Sequence, residues 1–197
     1  MAVKEPTLVQ EAPRPEWGPY RFSVEQYRKI GELGIIPPDA KTELVDGQII
    51  FMSIGKDHAA VVKRLNRKIS RKLPEEAATL SIQDPLTIDD GSEPLPDVMV
   101  LDYRADDYAA GLPTPANVKL LIEVSDSSLK YDREDKLPKY ARNLVAEVWI
   151  VDLGGQKVWT HLQPSADGYL QIQGYERGSM VKAQGLDLEL SVDEVLG

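Results

Sequence analysis

The chain has 197 residues, of which 42% are hydrophobic and 28% are charged, and it contains no cysteine. This length and composition predict a globular protein with a sizeable core, and they exclude disulfides, thiolate metal sites and cysteine nucleophiles. The net charge of -9 argues against tight nucleic-acid binding through the overall field of the protein, so such binding would need a local basic patch. No apolar run approaches the roughly 20 residues that span a bilayer, so we expect no membrane partner. The absence of cysteine fits a cytoplasmic protein.

The N-terminal residues differ in character from the rest of the chain. Residues 1–20 mix charges with prolines and predict an extended or disordered arm, which is neither a secretory signal nor a transit peptide. Residues 21–197 predict a single domain. Its first element is a helix over Ser23 to Gly34, because Ser23 and Gln26 have the spacing of a capping box. The Asp46-Gly47 pair between two β-prone runs then predicts a hairpin.

A second helix is predicted from Asp57, as N-cap, to about Leu73, with its apolar residues at helical spacing. Its opposite face is basic and carries Lys63, Arg64, Arg67, Lys68, Arg71 and Lys72. Two interpretations stay open. The face is either an ordinary solvated surface or the local patch that contacts a nucleic-acid backbone.

The middle of the chain reads as a series of strands. Short strands are predicted over Thr79 to Ile82 and Asp84 to Ile88, and longer ones over Asp97 to Asp102 and Val118 to Ser125. The segment from Ala105 to Gly111 predicts a short helix or a loop. The two longer strands are dense in Val, Leu and Ile, which is typical of buried strands. Their apolar runs, Leu95 to Leu101 and Leu120 to Ser125, nevertheless contain one acid each.

The C-terminal half predicts a helix followed by more strands. The helix covers most of Asp132 to Asn143, and Pro138 suggests that its regular part begins only near Asp135. The following strand, over Glu147 to Asp152, is expected to run parallel to the one before the helix. The remaining predictions are a hairpin through Gly154-Gly155 into Gln156 to Leu162, strands over Tyr169 to Tyr175 and Ser179 to Ala183, and a short helix from Ser191. This order predicts an α/β or α+β domain with a mixed central sheet.

The acids in the buried strands indicate a site. Asp97 and Glu123 lie on neighbouring predicted strands, and ionised carboxylates are costly to bury unless they are paired or bind metal. Two hard oxygen ligands suit Mg²⁺, and a nearby Lys136 would stabilise a pentacovalent phosphate or orient the attacking water. That chemistry is phosphodiester hydrolysis. The structural alternative is that Asp97 caps a strand and that Glu123 pairs with a core-facing Lys or Arg.

The ordered motifs resemble the PD-(D/E)xK restriction-endonuclease-like superfamily, and more specifically a large bacterial family of proposed restriction endonucleases. The matching pieces, from the N-terminus onward, are Glu43-Leu44-Val45-Asp46-Gly47, His58, Pro96-Asp97, Glu123-Val124-Ser125, Ser128, Asp132, Lys136, Tyr140 and Glu147-Val148-Trp149. The resemblance covers Ser23 to Asp152. It implies a restriction-endonuclease-like α/β fold with a central mixed sheet, helices on both faces, an added N-terminal hairpin and a C-terminal antiparallel extension.

The chain departs from the superfamily pattern at one position. The Lys expected two residues after the Glu is Ser125 here. The resemblance implies that Lys136 on the following helix replaces it, with Lys130 as the fallback. An ion pair between Asp132 and Lys136 at i, i+4 would position the ammonium if the helix begins early.

The resemblance therefore implies a Mg²⁺-dependent endonuclease, with Mn²⁺ as a possible substitute, that hydrolyses phosphodiester bonds in DNA. The implied catalytic residues are Asp97, Glu123, Lys136, Ser125 and His58, and the implied metal ligands are Asp97, Glu123 and Glu43. His58 and Glu43 have alternative roles as a capping or packing residue and a strand-edge residue, and we interpret His161 as structural.

The predicted partners are nucleic acid, with DNA preferred, and a second copy of the chain in a homodimer. The residues predicted to bind the nucleic acid are Lys63, Arg64, Arg67, Lys68 and Arg71. The rival hypothesis is a catalytically inactive domain that keeps the fold as an interaction or nucleic-acid-binding module. The acidic net charge and the displaced lysine favour this rival. The presence of Asp97 and Glu123 together favours the enzyme.

Overall fold

The computed structural model describes residues 18–197, so residues 1–17 of the predicted arm lie outside the described range. The α-helices are α1 (Val24–Glu32), α2 (Lys56–Lys72), α3 (Leu129–Tyr131), α4 (Leu137–Arg142) and α5 (Val192–Leu196). Short 3-10 helices cover Glu75–Ala77 and Pro115–Asn117, and a π-helical turn covers Asp132–Lys136. The strands are β1 (Thr42–Val45), β2 (Gln48–Phe51), β3 (Thr79–Ser81), β4 (Val98–Leu101), β5 (Val118–Ser125), β6 (Glu147–Asp152), β7 (Lys157–Ser165), β8 (Gly168–Glu176), β9 (Met180–Lys182) and β10 (Glu189–Ser191).

Six strands form the central sheet in the order β3-β4-β5-β6-β7-β8. All neighbouring pairs are antiparallel except β5 and β6, which are parallel. The α3–α4 region makes the crossover between these two strands, as the sequence predicts. The β1–β2 hairpin turns at Asp46 and Gly47, both at positive φ, and it stands apart from the central sheet, as does the β9–β10 pair.

Apolar cores lie on both faces of the central sheet. Helices α2 and α5 pack on one face, where Leu65 and Ile69 of α2 are fully buried against residues such as Ile122 of β5. Helix α4 covers the other face, where Tyr140 is fully buried with Leu121 and Ile150. This arrangement confirms the predicted fold class. Among residues 18–197, no helix is both long enough and apolar enough to cross a membrane.

Two predictions of local structure are wrong. Helix α2 begins at Lys56 behind Gly55, because the Ala59 N–H donates to the Gly55 carbonyl at 3.0 Å, so Asp57 lies in the first turn instead of capping the helix. In the first turn, the negative charge of Asp57 still stabilises the helix through its interaction with the positive end of the helix dipole. The segment from Asp84 to Ile88 is not a strand, because its N–H groups donate to the adjacent loop, as in Leu86 to Pro94 and Ile88 to Ser92.

The helical segment after β5 begins earlier than predicted. It starts at Leu129, passes through the π turn and continues as α4, whereas the sequence suggested a regular helix only from about Asp135. The Leu137 N–H donates to the Asp132 carbonyl, five residues back, which is the π-type bond. The next residue is Pro138, which has no N–H to donate and whose ring would clash with the carbonyl four residues earlier. A wider turn relieves this conflict within a continuous helix.

Candidate active site

A cavity of about 440 Å³ opens where β4 and β5 meet the β1–β2 hairpin and the start of α2. The register of β4 and β5 pairs Val98 with Ile122 and Met99 with Leu121. The next position along this antiparallel register sets Asp97 opposite Glu123. Both acids line the cavity, together with Glu43, His58 and Lys136. The fold thus brings five of the six predicted catalytic and metal-binding residues to one cavity.

Asp97 is held by several hydrogen bonds at the cavity floor. Its Oδ2 accepts from the Val124 N–H at 2.9 Å and contacts His58 Nε2 at 2.9 Å, and its Oδ1 accepts from Gln83 Nε2 at 3.0 Å. Burial raises the pKa of Asp97, but the hydrogen bond and charge of His58, with the other two donors, outweigh burial and leave the pKa below its ordinary value. Asp97 is therefore an ionised carboxylate at neutral pH.

Glu123 is 2% exposed and belongs to the same floor. Its Oε1 accepts hydrogen bonds from Lys136 Nζ at 2.7 Å and from the Tyr140 hydroxyl at 2.6 Å. Its Oε2 has only a long contact of 3.4 Å with the Asp97 backbone N–H. Burial raises the pKa of Glu123 to about 8, against the opposing effect of the Lys136 charge. This carboxyl is therefore short of compensating positive charge.

Lys136 reaches the site from the end of the π turn. Its ammonium lies 2.7 Å from Glu123 Oε1 and 3.2 Å from Glu43 Oε2, and the residue is 4% exposed. The neighbouring acids raise its pKa well above the ordinary value although burial alone would lower it. The fallback candidate, Lys130, points into solvent with an 83% exposed side chain and contacts Glu134. The ammonium of Lys136, and not that of Lys130, therefore lies beside Glu123 in the cavity.

The predicted ion pair between Asp132 and Lys136 is replaced by other contacts. Asp132 Oδ2 accepts hydrogen bonds at 2.7 Å from the hydroxyls of Ser125 and Ser128. The π turn explains the change, since it alters the i, i+4 spacing of a regular helix on which the prediction depended. Ser125 is fully buried beneath Asp132 and is not among the described residues of the cavity wall. Its side chain supports Asp132 and does not take the place of the missing lysine.

Glu43 projects from β1 to the side of Lys136. Its Oε2 accepts from Lys136 and from the Leu95 N–H at 3.0 Å, and its Oε1 accepts from the Tyr131 hydroxyl at 3.1 Å. The side chain is fully buried. Glu43 therefore lies in the site, with both oxygens engaged by donors of the chain.

His58 lies in the first turn of α2 and meets Asp97 across the cavity. An ionised carboxylate only accepts hydrogen bonds, so Nε2 carries the proton that it shares with Asp97. Its Nδ1 is buried and has no hydrogen-bond partner among residues 18–197. Burial lowers the pKa of His58, but the hydrogen bond to Asp97 and the nearby acids raise it further, so the net pKa lies above its ordinary value. His161, by contrast, lies on β7 in edge-to-face contact with Tyr169, away from the cavity.

The basic face of α2 divides into two groups. Arg64 donates to the carbonyls of Val195 and Leu196, and Lys68 and Lys72 form ion pairs with Glu194. These three residues bind the C-terminal segment. The other three are exposed and form no salt bridge or side-chain hydrogen bond with another residue of the 18–197 range: Lys63, Arg67 and Arg71.

Gln83 and Tyr131 were not predicted as site residues, and Tyr140 was noted only as a piece of the family motif. Tyr140 follows Lys136 by four positions on one helical segment, which was a usable signal for a shared face. Gln83 has a φ of +55, a conformation that is uncommon for residues other than glycine and concentrates at functional sites. The sequence carries no sign of that conformation, because it depends on contacts with the distant β4 segment.

The charges of the cavity wall favour a bound cation. Four carboxyls are buried there, on Glu43, Asp97, Glu123 and Asp132, and one buried ammonium, on Lys136, faces them. Within the described part of the chain, no three acids or histidines form a ready-made metal cage. Mg²⁺ is usually held by only one or two carboxylates together with waters, so Asp97 and the weakly engaged Glu123 Oε2 fit such an ion. Glu43 accepts three hydrogen bonds from the chain, as Asp97 does, and one of its three donors is the Lys136 ammonium.

Comparisons with known proteins concern the fold and the family of the chain. The chain is similar to a solved structure from Anabaena variabilis, described as "a putative nuclease belonging to DUF820", with a TM-score of 0.65 and 18% identity over 89% of this chain and 97% of the other. At that identity the likeness shows the fold alone. A search of curated proteins finds no match. The model of the Uma2 family, described as "Putative restriction endonuclease", matches residues 24–193. Because this match spans most of the chain and bears out the motif resemblance, the protein belongs to the Uma2 family.

Proposed function

We propose that the chain is a divalent-metal-dependent endonuclease that hydrolyses phosphodiester bonds in DNA, with Mg²⁺ as its ion and Mn²⁺ as a substitute. One observation carries the proposal. Asp97 and Glu123 meet at the ends of neighbouring strands, with the Lys136 ammonium 2.7 Å from Glu123 Oε1. A cation held by a pair of acids, with a fixed lysine beside it, can stabilise the charge that develops in phosphoryl transfer.

The acids and the lysine have separate roles in this proposal. Asp97 and Glu123 would hold the cation, which when bound supplies Lewis-acid polarisation of the phosphate. Lys136 provides a fixed positive charge that stabilises the negative charge developing on the phosphate oxygens. Such a charge is most effective when it needs no reorganisation during the reaction. The two carboxylates that hold the ammonium meet this condition.

The surrounding residues position these groups. Glu43 and Tyr140 fix the two partners of the Lys136–Glu123 pair, since Glu43 accepts from the ammonium and the Tyr140 hydroxyl donates to Glu123. We therefore assign Glu43 to the orientation of Lys136 before metal binding. His58 and Gln83 fix the Asp97 carboxylate by one hydrogen bond to each oxygen. Locked ligands of this kind lower the cost of reaching the reactive geometry.

The test is cleavage of circular DNA, either supercoiled plasmid or a single-stranded circle, by the full chain in Mg²⁺, Mn²⁺ or EDTA. Circular DNA has no ends, so nicking reports endonuclease activity. We expect metal-dependent nicking that is lost in Asp97→Asn and Glu123→Gln. Asp167→Asn serves as the matched control, because this acid is exposed in the β7–β8 turn. No cleavage in either metal, or equal cleavage by all four proteins, would refute the proposal.

A non-catalytic module is the second candidate. The observation that favours it is the set of hydrogen bonds made by Asp97 and Glu123, which already engage three of their four oxygens with groups of the chain. Salt-dependent DNA binding without cleavage would support this alternative. The predicted homodimer is a separate proposal, and sedimentation at several protein concentrations tests it.

A further inference from the structure

The cavity has a charged floor, and its mouth combines apolar residues with the exposed polar residues Lys41, Ser53 and Asp126. Phe51 at the end of β2 is 69% exposed, and Ile54 in the following loop is 37% exposed. Both line the cavity, and the half-buried Met52 lies between them in sequence. We call Phe51, Met52 and Ile54 the apolar rim. The rim therefore lines the same cavity as the acids that we assign to catalysis.

The rim is fixed on both sides. The Met52 N–H donates to the Lys41 carbonyl at 2.8 Å, which extends the hairpin past β2. On the other side, Gly55 is the N-cap of α2, and its carbonyl accepts the hydrogen bond of the Ala59 N–H. An exposed aromatic side chain on a hydrogen-bonded backbone at the mouth of a cavity is typical of a binding site, because a ligand that covers it removes apolar area from water.

The size of the cavity restricts what can cover the rim. Its volume of about 440 Å³ falls in the range of small-molecule sites. Asp97 and Glu123 are 7% and 2% exposed, so a phosphate must enter the cavity to reach them. In a duplex the bases stay stacked and paired inside the helix. An unpaired nucleotide can bring its phosphate to the floor and its base to the rim.

The negative net charge of the chain also favours a ligand that is bound through its bases and not only through its phosphates. With a net charge of -9, and with Arg64, Lys68 and Lys72 engaged by the C-terminal segment, few phosphate contacts remain to supply affinity. Stacking of bases on aromatic side chains adds affinity that does not depend on basic residues and tolerates any base.

We propose that the apolar rim binds an unpaired nucleobase beside the scissile phosphate, with Phe51 as the stacking residue. The preferred substrate class is then single-stranded or locally unpaired DNA. This inference rests on the proposed function of the same site, and it adds a specificity-determining residue outside the acids and the lysine.

The experiment measures binding of a fluorescent oligodeoxynucleotide, single-stranded or annealed, by anisotropy in Mg²⁺. The full chain carries Asp97→Asn so that no cleavage interferes. We expect tighter binding of the single strand, about tenfold weaker single-strand binding after Phe51→Ala, and near-normal binding after Phe51→Trp. The matched control is Leu33→Ala, since Leu33 is 64% exposed beyond α1 and is not among the described residues of the cavity wall.

The outcomes separate this inference from the proposed function. Equal binding by Phe51→Ala and the parent, or tighter binding of the duplex, would overturn the rim proposal even if the wild type cleaves plasmid DNA. Conversely, an inactive wild type whose single-strand affinity falls with Phe51→Ala would refute the nuclease and leave the rim proposal standing.

Discussion

Replacement of Glu123 by Gln should raise the stability of the metal-free protein at alkaline pH. The substitution keeps the size of the side chain and an oxygen for Tyr140, and it removes one negative charge from a wall with four buried carboxyls. Lys136 keeps Glu43 as an ion-pair partner at 3.2 Å, so its charge is not left unpaired. The loss of one acid therefore relieves repulsion without leaving a lone buried cation.

The magnitude follows from the raised pKa of Glu123. Between pH 4.5 and about 8, the folded wild type holds a proton on Glu123 that the unfolded chain has released. The free energy of unfolding therefore falls as the pH rises through this window, by 1.36 kcal/mol per pH unit and at most about 5 kcal/mol in all. Gln does not titrate. The variant should match the wild type near pH 5 and exceed it increasingly toward pH 8.

Urea unfolding in EDTA at several pH values measures this difference. His58 also has a raised pKa, so its stabilising contribution is complete below about pH 6.5 and is lost above its folded pKa. That contribution is present in both proteins and cancels to a first approximation when the two curves are subtracted. Glu32→Gln, which alters a 65% exposed carboxylate, is the matched control. Parallel curves for Glu123→Gln and the wild type would refute the reasoning.

Three further predictions concern the site and the basic face. Lys136→Met should lower the cleavage rate about 100-fold or more while Mn²⁺ binding persists, and a wild-type rate would remove Lys136 from the mechanism. Tyr140→Phe should lower the free energy of unfolding by about 1 to 3 kcal/mol and slow cleavage less than Lys136→Met does, whereas unchanged values would leave its hydroxyl without a role. Joint replacement of Lys63, Arg67 and Arg71 by Gln should flatten the salt dependence of DNA binding, by about 0.7 to 0.9 in log-log slope for each lost phosphate contact. The control variant Arg64→Gln should change stability and leave this slope unaltered.

Much of the fold follows from local sequence patterns. The bounds of β5 and β6 match the predicted strands, because dense runs of Val, Leu and Ile end abruptly at turn residues. The capping box at Ser23 and the turn at Asp46-Gly47 also form as predicted, since both signals depend on residues within four positions of each other.

The errors arise where distant contacts decide the local structure. The segment from Asp84 to Ile88 has strand-like residues, but its N–H groups bond to the loop at Ser92 and Pro94. Pro138 was correctly identified as a departure from a regular helix. Its consequence, a π turn that directs Lys136 to Glu123 instead of Asp132, depends on how α4 packs on the sheet.

In the candidate site, too, some residues are predictable from local sequence and others depend on distant contacts. Asp97 and Glu123 stand out in the sequence as lone acids in apolar strands, and the β4–β5 register places them opposite each other. Gln83 and Tyr131 give no such signal. Their contacts to Asp97 and Glu43 span 14 and 88 residues of sequence, and only the assembled fold brings them together.

The most direct test of the central claim is a crystal of the protein soaked in Mn²⁺, with anomalous diffraction to locate the ion. The account predicts one peak between Asp97 and Glu123, at about 2.1 to 2.2 Å from an oxygen of each carboxylate. The peak should be absent from crystals of Asp97→Asn soaked in the same way. A wild-type cavity without a peak, or a peak that persists in Asp97→Asn, would contradict the claim that these two acids form a metal centre.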